Sequence, residues 1–179
     1  TTEETSRVVD VMAKSTSSSA LNFESLRESL KLVAPVSKAT GVSLETTTAL
    51  LGVLADRGLK GSIAGTGLAK TFIEHNKKGI SLEEGMRKVK ESAEPLKTAI
   101  DMVGVIAGKT FLTLADGQKD IAGLETSFIN AEGAAQKMAE IKLDNLQGDT
   151  TKLASAWEGL LLSIEDGQGA LSRIARGFV

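Results

Sequence analysis

The residues that most suggest chemistry are Gly104-Val105-Ile106-Ala107-Gly108-Lys109-Thr110, a glycine-bracketed run closed by a lysine and a threonine. A phosphate-binding loop uses those residue types, but it needs four residues between its glycines so that successive amides converge on the phosphate. Here three intervene and no strand pattern leads in, so the run reads as a glycine-rich break between helices. Gly61-Ser62-Ile63-Ala64-Gly65-Thr66-Gly67 also has the look of a cofactor loop. It follows a helical pattern rather than a strand, and its glycine spacing is wrong for a dinucleotide fingerprint. Its small residues suit close helix approach. His75 is the only histidine and there is no cysteine, so a zinc site would have to be built from carboxylates beside it. Its place ahead of Asn76-Lys77-Lys78, near a helix C-terminus, predicts a surface capping role. No nucleophile-elbow sequence accompanies it. No catalytic, cofactor-binding or metal-binding residue is assigned.

The elements that would carry these residues are helical. Aromatic residues make up 3% of the chain (five Phe, one Trp, no Tyr), while hydrophobic residues make up 41%. The core must therefore be Leu, Ile, Val and Ala, which favours closely packed helices over a sheet. Apolar spacing predicts helices over about Glu3–Lys14, Asn22–Thr40, Leu44–Arg57, Ser62–Asn76, Leu82–Ser92, Pro95–Val103, Lys109–Ala115, Gln118–Asn130 and Ala134–Asp166. Ser43 and Ser81 are predicted N-caps, the latter within the capping box Ser81-Leu82-Glu83-Glu84. Gly41, Gly58, Gly61, Gly79, Gly104, Gly117 and Gly123 fall at or near element ends. Pro95 suits a first helical position, whereas Pro35 should kink its helix or end it early. Ser15–Ser19 (STSSS) reads as a loop or a cluster of caps. No segment alternates with the period of a strand, and the fold class is all-α.

The last predicted helix differs in kind. Ala139, Leu143, Leu146, Thr150, Leu153, Trp157, Leu160 and Ile164 step 4-3-4-3-4-3-4, a heptad seam. At ~1.5 Å per residue the helix would span on the order of 45–50 Å. Ala154, Ala156 and Leu161 widen the apolar stripe, as expected of a helix packed among several others. Leu143, Leu146, Leu153, Trp157, Leu160 and Ile164 are accordingly the candidate packing or self-association seam. The expected architecture is one module over 1–179, with short helices in 1–130 packed as a compact bundle on the long helix 134–166.

At 179 residues the chain can bury one substantial core, or two small ones. A net charge of −2 offers no basic footprint for nucleic acid. Ile100–Ala115 is the most membrane-like stretch, but Asp101 and Lys109 interrupt it and it is shorter than the roughly 20 residues of a span. The chain starts at Thr1 without a basic n-region and apolar run, and reads as a piece of a longer protein.

One block is more telling than its periodicity. Gly41–Leu68, GVSLETTTALLGVLADRGLKGSIAGTGL, resembles the signature segment of phage tail tape measure proteins, with Gly58, Gly61 and Gly65 at its turn. Val11–Ser15 with Ser17–Ser19, and Leu30–Ala39, are similar to upstream blocks of that family. Ala134–Leu162 is similar to its closing helix, so the resemblance brackets roughly residues 9–165. It implies a structural, non-enzymatic role in tail assembly, tail-length determination and genome delivery, without a cofactor. The implied partners are tail tube and tail tip proteins and tail assembly chaperones. A homo-oligomer and a transient host membrane contact are also compatible, the latter as an alternative in which helices insert into the envelope. The implied location is the virion, and the bacterial host cytoplasm during assembly.

The broad stripe on the last helix predicts internal packing. Leu146→Asp and Leu153→Asp should therefore unfold a helical monomer, read by circular dichroism with sedimentation equilibrium. An oligomer falling to folded monomers would instead make the seam an assembly surface.

Overall fold

The computed structural model describes residues 2–144, with side chains from residue 5 onward. The described residues are helices joined by tight turns, with no strand among them. In chain order they are α1 (Thr2–Ser18), α2 (Phe23–Thr40), α3 (Leu44–Asp56), α4 (Gly61–Lys78), α5 (Leu82–Glu91), α6 (Pro95–Val103), α7 (Val105–Asp116) and α8 (Gln118–Ile129). Residues 134–144 are again helical. The chain divides after Ala135, and the first unit, Thr1–Ala135, contains α1 to α8.

Local chemistry sets most of the boundaries. The Ser43 hydroxyl accepts the Thr46 amide at 3.0 Å and the Ser81 hydroxyl accepts that of Glu84 at 3.1 Å, as N-caps do. At Ser81 the capping box stops there, because the Glu84 carboxylate pairs with Lys88 at 2.8 Å. A reciprocal box forms at α2, where Asn22 caps Ser25 and the Ser25 hydroxyl accepts the Asn22 amide at 3.2 Å. Gly41, Gly58 and Gly79 take φ of 74°, 83° and 63°. The residues after them return hydrogen bonds to Ser37, Leu54 and His75, closing three helices with the same six-residue motif.

Three places test the expected boundaries. Helix α1 runs through Ser18 and takes in all but the last residue of the expected loop at Ser15–Ser19. The hydroxyls of Ser15, Thr16 and Ser17 bond back to the carbonyls of Met12, Ala13 and Lys14, so this polar stretch satisfies itself within the helix. Pro35 lies inside α2 and does not end it. Helix α7 begins at Val105 rather than Lys109, because Gly104 turns the chain at φ 82° and Gly108 packs on Ile100.

Helix α3 is the centre of the first unit. Glu45 and every residue from Thr47 to Ala55 are buried, and α1, α2, α4, α7 and α8 pack around it. A helix this apolar on all sides is stable only when enclosed. Leu50, Leu51 and Leu54 are fully buried, each contributing about 1.5–3 kcal/mol relative to exposure. A smaller cluster of Val11, Ala49, Phe128 and Ala131 closes the side between α1 and α8.

The expected long helix lies mainly outside the described residues, as do Leu146, Leu153, Trp157, Leu160 and Ile164 of the candidate seam. Leu143 is within them, on the helical segment 134–144, and is exposed.

Two helical glycines test the packing in opposite senses. A Cβ on Gly67 would collide with Thr110, whereas one on Gly123 would meet nothing within 4 Å. Gly67→Ala is expected to cost about 1–3 kcal/mol through overpacking. Gly123→Ala, in an open helical position, should gain about 0.5–1 kcal/mol. Urea unfolding midpoints at unchanged m-value would check both.

Candidate functional site

The glycine-rich segment forms α3, its closing turn and the first half of α4. Gly58 supplies the left-handed residue that ends α3, and Gly61 (φ 60°) opens α4. Glu28 of α2 lies against Gly61, placing a carboxylate at the positive end of the α4 dipole. Gly65 faces the other way of reading this segment, as a docking surface for α2. Its absent side chain would sit 2.6 Å from the Ser29 carbonyl oxygen. The Ser29 hydroxyl lies 2.8 Å from the carbonyl oxygens of both Ser25 and Gly61, sharing one proton between them. On the opposite side Gly67 admits Thr110 of α7. Of the three turn glycines, Gly65 meets the α2 backbone, Gly61 meets the Glu28 side chain, and Gly58 supplies only its left-handed conformation.

The two loops that looked capable of chemistry are packing elements. In Gly104–Thr110 the chain is already helical from Val105, Lys109 is exposed, and Thr110 is buried against Gly67. The Gly108 amide donates to the Gly104 carbonyl at 2.9 Å, and the helix it belongs to follows α6, not a strand. In Gly61–Gly67 the glycines are filled by α2 and α7. Among the described residues no cluster of His, Asp and Glu is arranged to hold a metal ion, and no helix is long and apolar enough to cross a membrane.

His75 departs from its expected surface role. It is 6% exposed and stands edge-on to Phe111, with ring centroids 4.7 Å apart at 64°. Nδ1 is 2.9 Å from the Thr71 carbonyl and must donate to it, which leaves Nε2 unprotonated in the neutral ring. Nε2 is buried without a hydrogen-bond partner and fills the space a side chain on Gly85 would need. Sequence reading missed this because the residue that makes room is a glycine ten positions on, in α5. The neighbouring Lys78 does the capping, but for another helix. Its ammonium donates to the carbonyls of Asp101 and Met102 at 2.8 and 2.7 Å, at the end of α6.

Two acidic residues hold α1 in place. Glu45 is buried and pairs with Arg7 at 3.3 Å. Asp10, 8% exposed, accepts the Gly133 amide at 3.2 Å and the Ala135 amide at 2.9 Å. An acid within an amphipathic helix gives no sign that its partners lie 123 and 125 residues away.

This arrangement is a set of helices fitted through glycines and caps, and known proteins share its sequence over nearly its whole length. Residues 1–174 match the family described as phage-related minor tail protein. The chain belongs to that family. It is 27% identical over 208 aligned residues to the tape measure protein of Pneumococcus phage Dp-1, covering 96% of this chain and 18% of that protein. It is 26% identical over 207 to the probable tape measure protein of Escherichia phage P2, covering 97% of this chain and 25% of that one. The chain therefore spans a quarter or less of the length of these relatives. No solved structure matches it.

Burial pushes the His75 pKa below its ordinary 6.5; the Thr71 hydrogen bond opposes this and Lys78 adds to it. As pH falls past about 6.5 the unfolded chain takes up a proton that the native ring still refuses. Stability should therefore drop from there downward, and level off once the native ring also protonates. His75→Leu should remove this share of the pH dependence, read from urea unfolding of both proteins across that range.

Proposed function

We propose that this chain is a compact helical module of a longer tape measure protein, a structural component of a phage or prophage tail. The observation that carries the reading is the family match over residues 1–174 on a chain whose residues from Thr2 to Ile129 fold through tight turns rather than as one continuous helix. A length ruler works by extension, so its working part should be uninterrupted helix. From Thr2 to Ala135 the helices instead turn back on one another around α3. The module accordingly acts beside the ruler, contributing to tail assembly and genome delivery through contacts with tail tube or tail tip proteins, with assembly chaperones, or with further copies of itself. Gly58, Gly61 and Gly65 are assigned to holding its shape, and the seam from Leu143 to Ile164 to packing or self-association. Its place is the virion, after assembly in the host cytoplasm, and the reading assigns it no catalysis.

Deleting residues 1–135 from the full-length protein separates a module from a ruler. At ~1.5 Å per helical residue, loss of a ruler segment would shorten every tail by about 200 Å. Loss of a module should reduce the number of assembled tails while those that form keep their length. Electron microscopy of the particles reads the difference, and uniform shortening by that amount would overturn the proposal.

A further inference from the structure

We infer that residues 130–133 are a conditional break between two helical segments, held open by the Asp10 carboxylate and able to close into continuous helix when Asp10 lets go. This rests on geometry and sequence pattern alone and stands apart from the tail reading. The amides that Asp10 accepts belong to Gly133 and Ala135. In an uninterrupted helix those same amides would donate to the carbonyls four residues back, those of Ile129 and Ala131. Asp10 and the straight helix therefore compete for the same two protons.

The sequence around the break is otherwise prepared for continuation. Both prolines lie upstream, at Pro35 and Pro95, so nothing after them forbids a helix. Asn130 already donates to Thr126 at 3.3 Å in the helical pattern, and Gly133 alone among the break residues has positive φ, 76°. The apolar phase also runs straight through. Ile121, Leu124, Phe128, Ala131, Ala135, Ala139 and Leu143 would fall within an arc of about 120° on an ideal helix, at ~100° per residue. A true domain boundary has no reason to keep that register. Ala131 and Phe128, buried together with Val11 and Ala49, sit on the same stripe, so straightening does not require Ala131 to leave its cluster. What opposes it is a nearly buried carboxylate that would lose both partners, because Asp10 is 8% exposed. A binding event that shifts α1 removes that opposition.

The test compares the full 179-residue chain with Asp10→Ala and, separately, Gly133→Ala, by backbone NMR. In the parent protein the 13Cα shifts of 130–133 should be non-helical and the Gly133 amide slow to exchange. Both substitutions should move 130–133 to helical shifts while α3 and α4 keep theirs. Gly133→Ala leaves Asp10 intact and favours helix from the other side, so it decides the matter even where Asp10→Ala unfolds the protein. Shifts at 130–133 that stay non-helical in a folded Gly133→Ala protein would overturn the inference, as would disorder there in a folded Asp10→Ala protein.

Discussion

Where α4 crosses α2, no side chain separates the two backbones on the α4 side. Gly65 rests on Ser29, and the Ser29 hydroxyl reaches the Gly61 carbonyl. Where α4 meets α7 the same economy recurs, with Thr110 in the space beside Gly67. The position of α4 is thus set to within a fraction of a side chain on two sides, and other placements follow from it. Its C-terminal turn carries His75 into the gap left by Gly85 and brings Lys78 to the open carbonyls of α6. Interiors packed to crystalline density respond to single methylene changes, and a helix with glycines at its closest approaches has little room to adjust.

Helix α3 shows the complementary solution. Apolar nearly all round, it is wrapped by neighbours, and most of its few polar groups are paired, the buried Thr48 hydroxyl being an exception. Thr47 donates to the Ser43 carbonyl at 2.7 Å, and Glu45 meets Arg7 from α1. The chain ends α3 with a glycine and starts α4 with another, so both solutions sit within the single segment that most resembles tape measure proteins. That placement gives a physical reason for its composition: it holds the enclosed helix, the turn, and the helix that docks without side chains.

What the sequence disclosed was largely local. Ser43 and Ser81 cap, Gly41, Gly58 and Gly79 end helices, and Pro95 opens one, because each of these choices is settled within a few residues by backbone chemistry. The family was legible because its blocks are read in order along the chain. What escaped was decided by burial or by a partner elsewhere in the chain. STSSS looked like a loop, since exposed serines favour turns, but Ser15 is fully buried beneath neighbouring helices and its hydroxyl folds back on its own turn. His75 looked superficial because the vacancy that receives it is the missing side chain of Gly85. Asp10 is not set apart by anything in its own neighbourhood of the sequence. None of these carries a local mark, because the partner is defined only by the fold.

That long reach has a consequence for the order in which the chain is made. Most helix pairs in the first unit join neighbours in sequence or nearly so, and such pairs can form as soon as both members have left the ribosome. The Asp10 contacts span 123 and 125 residues. At about 5–20 residues per second, the first helix waits roughly 6–25 s for the backbone amides that complete it. During that interval α2 to α8 are synthesised and can assemble around α3, while the carboxylate remains in water. The first helix to emerge can meet α3 early through Arg7 and Glu45, but its Asp10 tie forms only once the unit from Thr1 to Ala135 has been synthesised to its end.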